Sequence, residues 1–148
     1  MTALHLARPA DLDRVTALIA ACQAEQGHEI DDQTRAAAIV PLLEGLPQGC
    51  VYLIGPARAP LGCAVLSFGW SLTLGGLTGR LELLYIRPAI RKRGIASQVL
   101  IDLPKALADA GLMALDIALD QDNDQAQRLA ARSRFQEQNQ TRLWVKPL

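Results

Sequence analysis

The sequence predicts one mixed α/β (α+β) domain spanning residues 1–148, with helices packed on a central sheet. Three observations predict it. The chain has 148 residues, 50% hydrophobic and 20% charged, enough to bury a substantial core. Short β-rich runs bounded by Gly and Pro alternate with stretches of helical apolar spacing. Their order is strand, two helices, three strands, helix, strand, helix, strand, with no repeat or linker between them, as one layered fold requires.

Each element has a local reason. "TALHLAR" alternates as a short strand. In "ADLDRVTALIAACQAEQG", Leu12, Val15, Ile19 and Cys22 recur at helical spacing, with Asp11 to cap the start and Gly27 to end it. "DDQTRAAAIVPLLEG" reads as a second helix, capped by Asp31 or Asp32 and stopped by Gly45, with Pro41 inside it. "CVYLI" and "LGCAVLSFGW" are strands by β-branched and aromatic content, separated by the turn "GPARAP". The Gly-Gly pair in "SLTLGGLTG" marks a hairpin, and "RLELLYIRP" is a strand ending at Pro88. "GIASQVLIDLPKALADAG" is a helix in which Pro104 predicts a kink around Leu100 to Pro104. "LMALDIAL" is a strand, "QAQRLAARS" a short helix, and "TRLWVKPL" a last strand.

Composition excludes several classes. Lys+Arg and Asp+Glu balance at 15 each, so no bulk charge draws the chain to nucleic acid or a membrane surface. Cys22, Cys50 and Cys63 lack metal or redox spacing and read as buried, reduced thiols of a cytoplasmic protein. No metal site is expected. No signal peptide or apolar run of membrane-spanning length is read.

Against that neutral background, "IRPAIRKRGIASQVL" stands out. Arg87, Arg91, Lys92 and Arg93 crowd before Gly94, where a helix begins. A helix start leaves its first N–H groups unpaired and carries partial positive charge. Gly94 and Ala96 keep side chains out of the way. Residues from Arg91 through Ile95 and Ala96 to Ser97 therefore suit a phosphate or pyrophosphate. A solvated basic turn is the plainer alternative. Neither G-x-G-x-x-G nor G-x-x-x-x-G-K-[ST] occurs.

The stretch Arg91-Lys92-Arg93-Gly94-Ile95-Ala96 instead resembles R/Q-x-x-G-x-G/A, the acyl-CoA loop of the GCN5-related N-acetyltransferases (GNAT family). The preceding "LELLYIRP" resembles that family's central strand and proline turn. The resemblance implies a mixed, mostly antiparallel sheet of roughly six to seven strands flanked by about four helices, splayed between its fourth and fifth strands. It also implies acetyl-CoA as acyl donor. The amides of Arg91 to Ser97 would cradle its pyrophosphate, and the backbone of Leu84, Tyr85 and Ile86 would pair with its pantetheine arm. The family habit is a homodimer.

Acetyl transfer to a primary amine of a small molecule or peptide needs a neutral amine, a held thioester and a stabilised oxyanion. Glu82 stands inside an apolar strand, where several branches of the family place a general base. By strict alternation it shares a face with Leu84 and Ile86. Facing solvent, or pairing with Arg80, is the alternative. The family's later motif N-x-x-A-x-x-L-Y-x-x-x-G-F matches here at Asn123, Ala126, Leu129 and Phe135, but its tyrosine is Ala130 and its glycine Arg134. Tyr85 is the substitute acid only if its ring turns to the sulfur; otherwise it packs in the core. Asn123 resembles the pantetheine-contacting residue and equally suits a helix cap. His28, with Glu25, Glu29, Asp31 and Asp32, lies where the resemblance puts the acceptor, a surface histidine in a solvated cap region being the alternative; Trp70 either walls that pocket or covers the sheet edge. A CoA-binding module without turnover is the rival reading, and a nucleic-acid-binding domain the remote one.

Overall fold

The structure is a computed structural model that describes residues 2–148. It comprises two compact units, one ending at Ala118 and the other running from Leu119 to Leu148.

The first unit is a five-stranded sheet in the order β1-β2-β3-β4-β5. The strands are β1 (Leu4–Leu6), β2 (Gly49–Ile54), β3 (Gly62–Ser71), β4 (Gly76–Ile86) and β5 (Ala114–Ile117). The first four pair antiparallel with their neighbours, while β5 lies parallel to β4. The β3–β4 ladder slips between Val65 and Leu66: Val65 faces Leu83 and Leu66 faces Leu81. Glu82 is thus the extra residue of a β-bulge, a device that re-aims a side chain without ending a strand.

Helix α1 (Leu12–Glu25) and helix α2 (Asp32–Leu43) cover one face. Val15, Leu18, Ile19 and Cys22 of α1 and Ile39 and Leu43 of α2 form one cluster with Val51, Leu53, Cys63 and Tyr85. The opposite parity of the strands buries Ile54, Ala64, Leu66 and Leu81. Helix α3 (Ile95–Asp109) contacts β4 and buries Val99, Leu100, Leu103 and Leu107. It continues through Pro104, as α2 does through Pro41. Asp31 caps α2, its carboxylate accepting from Thr34 N–H at 2.7 Å.

The second unit holds helix α4 (Asp124–Arg132) and the segment after it. The last strand expected over "TRLWVKPL" does not form. Residues 141–148 pair with no strand, and Leu143, Trp144 and Val145 are exposed. Strand-like composition does not suffice without a partner edge for the backbone, and Pro147 has no N–H to offer. The sheet therefore has five strands among the described residues rather than six or seven. No described helix is long and apolar enough to cross a membrane.

Candidate functional site

The sheet opens between β4 and β5. Their parallel pairing runs from Thr78 opposite Ala114 to Leu81 opposite Ile117 and stops there. β4 continues to Ile86 with β3 on one side only. The carbonyl of Tyr85 points at β3, since a Cβ on Gly62 would meet it at 1.9 Å. By alternation along the ladder, Leu84 and Ile86 turn their N–H and C=O groups to the open side. Of these, the Ile86 carbonyl already accepts from Arg91 Nε at 2.8 Å. Leu84 and the Ile86 N–H form the free edge.

β4 then leads into a 3-10 turn at Pro88–Ile90 and the start of α3. Lys92 has φ +64 and Gly94 φ +77, so the chain curls left-handed twice before the helix. No side chain caps α3. Nothing lies within 4 Å of where a Cβ on Gly94 would sit. A left-handed curl at the positive end of a helix is a geometry in which backbone amides can receive an anion. Arg91, Lys92, Arg93 and Gly94 are exposed, and Ile95, Ala96 and Ser97 half-buried.

The basic residues divide in role. The Arg91 guanidinium grips both carboxylate oxygens of Glu25, each at 2.7 Å, and lies 5.4 Å from the centre of the Tyr85 ring. The hydrogen bonds from Arg91 hold the Glu25 carboxyl below its ordinary range. Lys92 and Arg93 enter no ion pair among the described residues. The Tyr85 ring is buried beneath Arg91 and within the core cluster.

Glu82 is exposed, and the bulge corrects its expected face. Its Oε1 accepts from Ser67 Oγ at 2.6 Å. Ser67 follows Cys63 and Val65 at two-residue intervals, so Glu82 points to the face that carries Tyr85, not to that of Leu84 and Ile86. Neither does it pair with Arg80: that guanidinium binds Asp116 at 2.6 Å, and this bond leads in raising the Arg80 pKa. Sequence alternation cannot register an inserted residue, and no Gly or Pro marks this bulge. Ser67 was not singled out for the same reason.

An open cavity of about 490 Å³ is lined by Ala24, His28, Glu29, Asp31 and Arg35. Arg35 is buried and ties the connecting loop together, donating to Gln23 Oε1, Asp32 Oδ1 and the Ile30 carbonyl. The acidic residues expected near the acceptor are thus largely committed. Glu25 holds Arg91, Asp31 caps α2 and Asp32 meets Arg35, whereas Glu29 and His28 line the cavity. Trp70 stands exposed near the β3–β4 hairpin. Cys22 and Cys63 are buried as expected, whereas Cys50 is only half-buried; burial pushes the thiols up, Cys50 to about 11 and Cys63 to about 12, which disfavours the thiolate near neutral pH.

In the second unit, Asn123 caps α4, its Oδ1 accepting from Ala126 N–H at 3.1 Å. Ala130 is buried. Arg134 adopts φ +68, and Phe135 N–H closes on the Ala130 carbonyl at 3.0 Å. This is a Schellman ending, which favours glycine at the left-handed position. The other three helices have Gly27, Gly45 and Gly111 in that role. The backbone of the glycine in the resembled motif is kept while its residue type is not.

Comparison with known proteins follows from this geometry. The family model of the acetyltransferase (GNAT) family matches residues 12–135. No curated protein matches the chain by sequence. Among solved structures, the integron cassette protein HFX_CASS3 from the mobile metagenome of Cole Harbour Salt Marsh superposes with TM-score 0.83 at 23% identity, over 97% of this chain and 89% of that one. The aminoglycoside N-acetyltransferase AAC(6')-Iy in complex with CoA gives TM-score 0.80 at 14% identity, over 100% and 96%. The ribosomal-protein-alanine N-acetyltransferase of Brucella melitensis biovar Abortus 2308 gives 0.77 at 12%, over 100% and 99%. The chain belongs to the GNAT acetyltransferase family, with the mixed sheet and four helices of that fold.

Proposed function

We propose that the chain is an acetyl-CoA-dependent N-acetyltransferase. It moves an acetyl group to a primary amine of a small molecule or peptide by direct attack on the thioester. The observation that carries this reading is the free edge of β4 leading, through one 3-10 turn, to an uncapped helix start with Lys92 and Gly94 at positive φ. That arrangement suits a ligand with a strand-like arm and a diphosphate. Leu84 and Ile86 would meet the arm. The amides from Lys92 to Ser97 would meet the diphosphate, with Lys92 and Arg93 adding charge. Bound there, the donor would supply the activated acetyl group.

Glu82 is the proposed base. Held by Ser67, it takes the amine proton directly or through water. The inert thiols support direct transfer over an acetyl-cysteine. The reading assigns Tyr85 no proton-transfer role, because its ring is buried under Arg91. His28 and Glu29 on the open cavity suit a cationic acceptor, and the solved neighbours include aminoglycoside and protein N-acetyltransferases. The family match crosses both compact units, which supports one domain. A homodimer is proposed with it, supported by the exposed Trp70 and Leu72.

The second reading, a CoA-binding module without turnover, is favoured by Ala130 at the position of the family tyrosine. Thiol release from acetyl-CoA against a panel of amines separates the two. Turnover that falls in Glu82→Gln supports the enzyme. Tight CoA binding without turnover on any amine supports the module.

A further inference from the structure

We propose that Glu25 is a positioning residue for the cofactor loop, holding Arg91 as a strut so that the loop stands preformed before its ligand arrives. The inference rests on the reading of that loop as the acetyl-CoA diphosphate site. A guanidinium has five N–H donors, and Arg91 commits three of them inside the protein. Nε binds the carbonyl of Ile86, at the end of β4. Nη1 and Nη2 bind the two oxygens of Glu25, the last residue of α1. The remaining face of the group covers the Tyr85 ring.

The loop from Arg91 to Gly94 is exposed and buries nothing of its own. Its backbone carries two left-handed residues, one of them a lysine, in a region that disfavours side chains. Something must hold it there, because ordering a backbone opposes its entropy. Arg91 ties it on one side to β4 and on the other to α1. One turn before Glu25, Cys22 is anchored in the core cluster. The planar fork of Arg91 against a carboxylate is the geometry that adds orientation to attraction.

Two roles for Glu25 give opposite signs. As a bare charge, a carboxylate near a diphosphate site repels the ligand and competes for Arg91. Removing it would then tighten binding. As a strut, it supports the cradle, and removing it weakens binding. The anchoring of Arg91 on both sides favours the second.

Calorimetric titration with CoA tests this on the wild type, Glu25→Gln, Arg91→Lys and the double variant. Expected is a loss of about three- to tenfold for each single change, as suits one bidentate surface pair. The double variant should lose no more than the worse single one, because both remove the same contact. In turnover, KM for acetyl-CoA should rise while kcat and the acceptor KM stay put, a split that general destabilisation would not produce. Glu25 is half exposed, so its variant is expected to fold; the urea midpoint checks that. Equal or tighter CoA binding by folded Glu25→Gln overturns the strut. A wild type that gives no heat with CoA overturns instead the reading of the loop itself, and the strut with it.

Discussion

Gly94 offers the sharpest separation of stability from binding. Its φ of +77 costs an ordinary residue roughly 1–2 kcal/mol. No atom lies within 4 Å of a Cβ there, so that strain is the whole steric cost of Gly94→Ala. In a loop already formed before its ligand arrives, that strain is carried in the free and bound states alike, so Gly94→Ala should lower stability and leave CoA affinity little changed. Gly94→Glu adds a carboxylate at the start of α3. For the free protein that is favourable, by about 0.3–1 kcal/mol against the helix dipole. For a diphosphate it is a like charge at the binding loop, and binding should fall by more than about a hundredfold. Gly94→Glu should therefore be at least as stable as Gly94→Ala in urea denaturation and yet far weaker in calorimetry. A Gly94→Glu protein that binds CoA within threefold of the wild type refutes the loop assignment.

Other perturbations test separate parts. Glu82→Gln should lower kcat by about 10²–10⁴-fold with CoA affinity unchanged, read by thiol release and calorimetry. Arg134→Gly should raise stability by about 0.5 kcal/mol in urea, since relief of the left-handed strain outweighs the added unfolded-state entropy. Folded-state carboxyl pKa values are depressed at Glu25 by Arg91 and at Asp11 chiefly by the Arg8 N–H. Their contribution is complete above the ordinary values of 4.5 and 3.8 and is lost as pH falls through the lower folded ones. Burial raises Cys50 and Cys63 from 9.0, so their contribution is complete below pH 9 and declines as pH rises toward 11 and 12. Unfolding midpoints across pH should thus plateau between about 5 and 9; a midpoint still climbing above pH 9 would contradict the burial of the thiols.

What the sequence made legible follows from how far apart the interacting groups lie. The turn from Arg91 to Ser97 is local: its glycine, its charges and its helix start are adjacent, so the helix start at Ile95 was readable from the pattern. Helix limits were legible for the same reason, with Asp31 and Gly45 bounding α2 within a residue. The clamp of Arg91 by Glu25 spans 66 residues, and no spacing rule connects them. The face of Glu82 was misjudged because alternation assumes an unbroken ladder, and the bulge inserts one residue that carries no mark of its own. The tail shows the converse. "TRLWVKPL" has the residues of a strand, but a strand is a relation between two segments, and composition describes only one.

In the proposed reading, donor recognition would rest on main-chain groups at Leu84, Ile86 and the start of α3. These require a free edge, a left-handed curl and a glycine, and little else of the side chains. Neutral bulk charge and divergence from solved relatives are compatible with that. The chemistry rests on side chains, and there the chain departs from its family, with Ala130 in place of the tyrosine. The departure is tolerable on energetic grounds. A free thiol has a pKa of ~8.5, so a thiolate leaves near neutral pH with little need of a proton donor. The harder requirement is a neutral amine, which at neutral pH must lose a proton before it attacks. As the proposed base, a single carboxylate turned by a bulge and held by Ser67 would address that requirement. On the proposed reading, Ala130 at the tyrosine position and Glu82 as base agree: proton removal, not proton delivery, is the step that would need assistance.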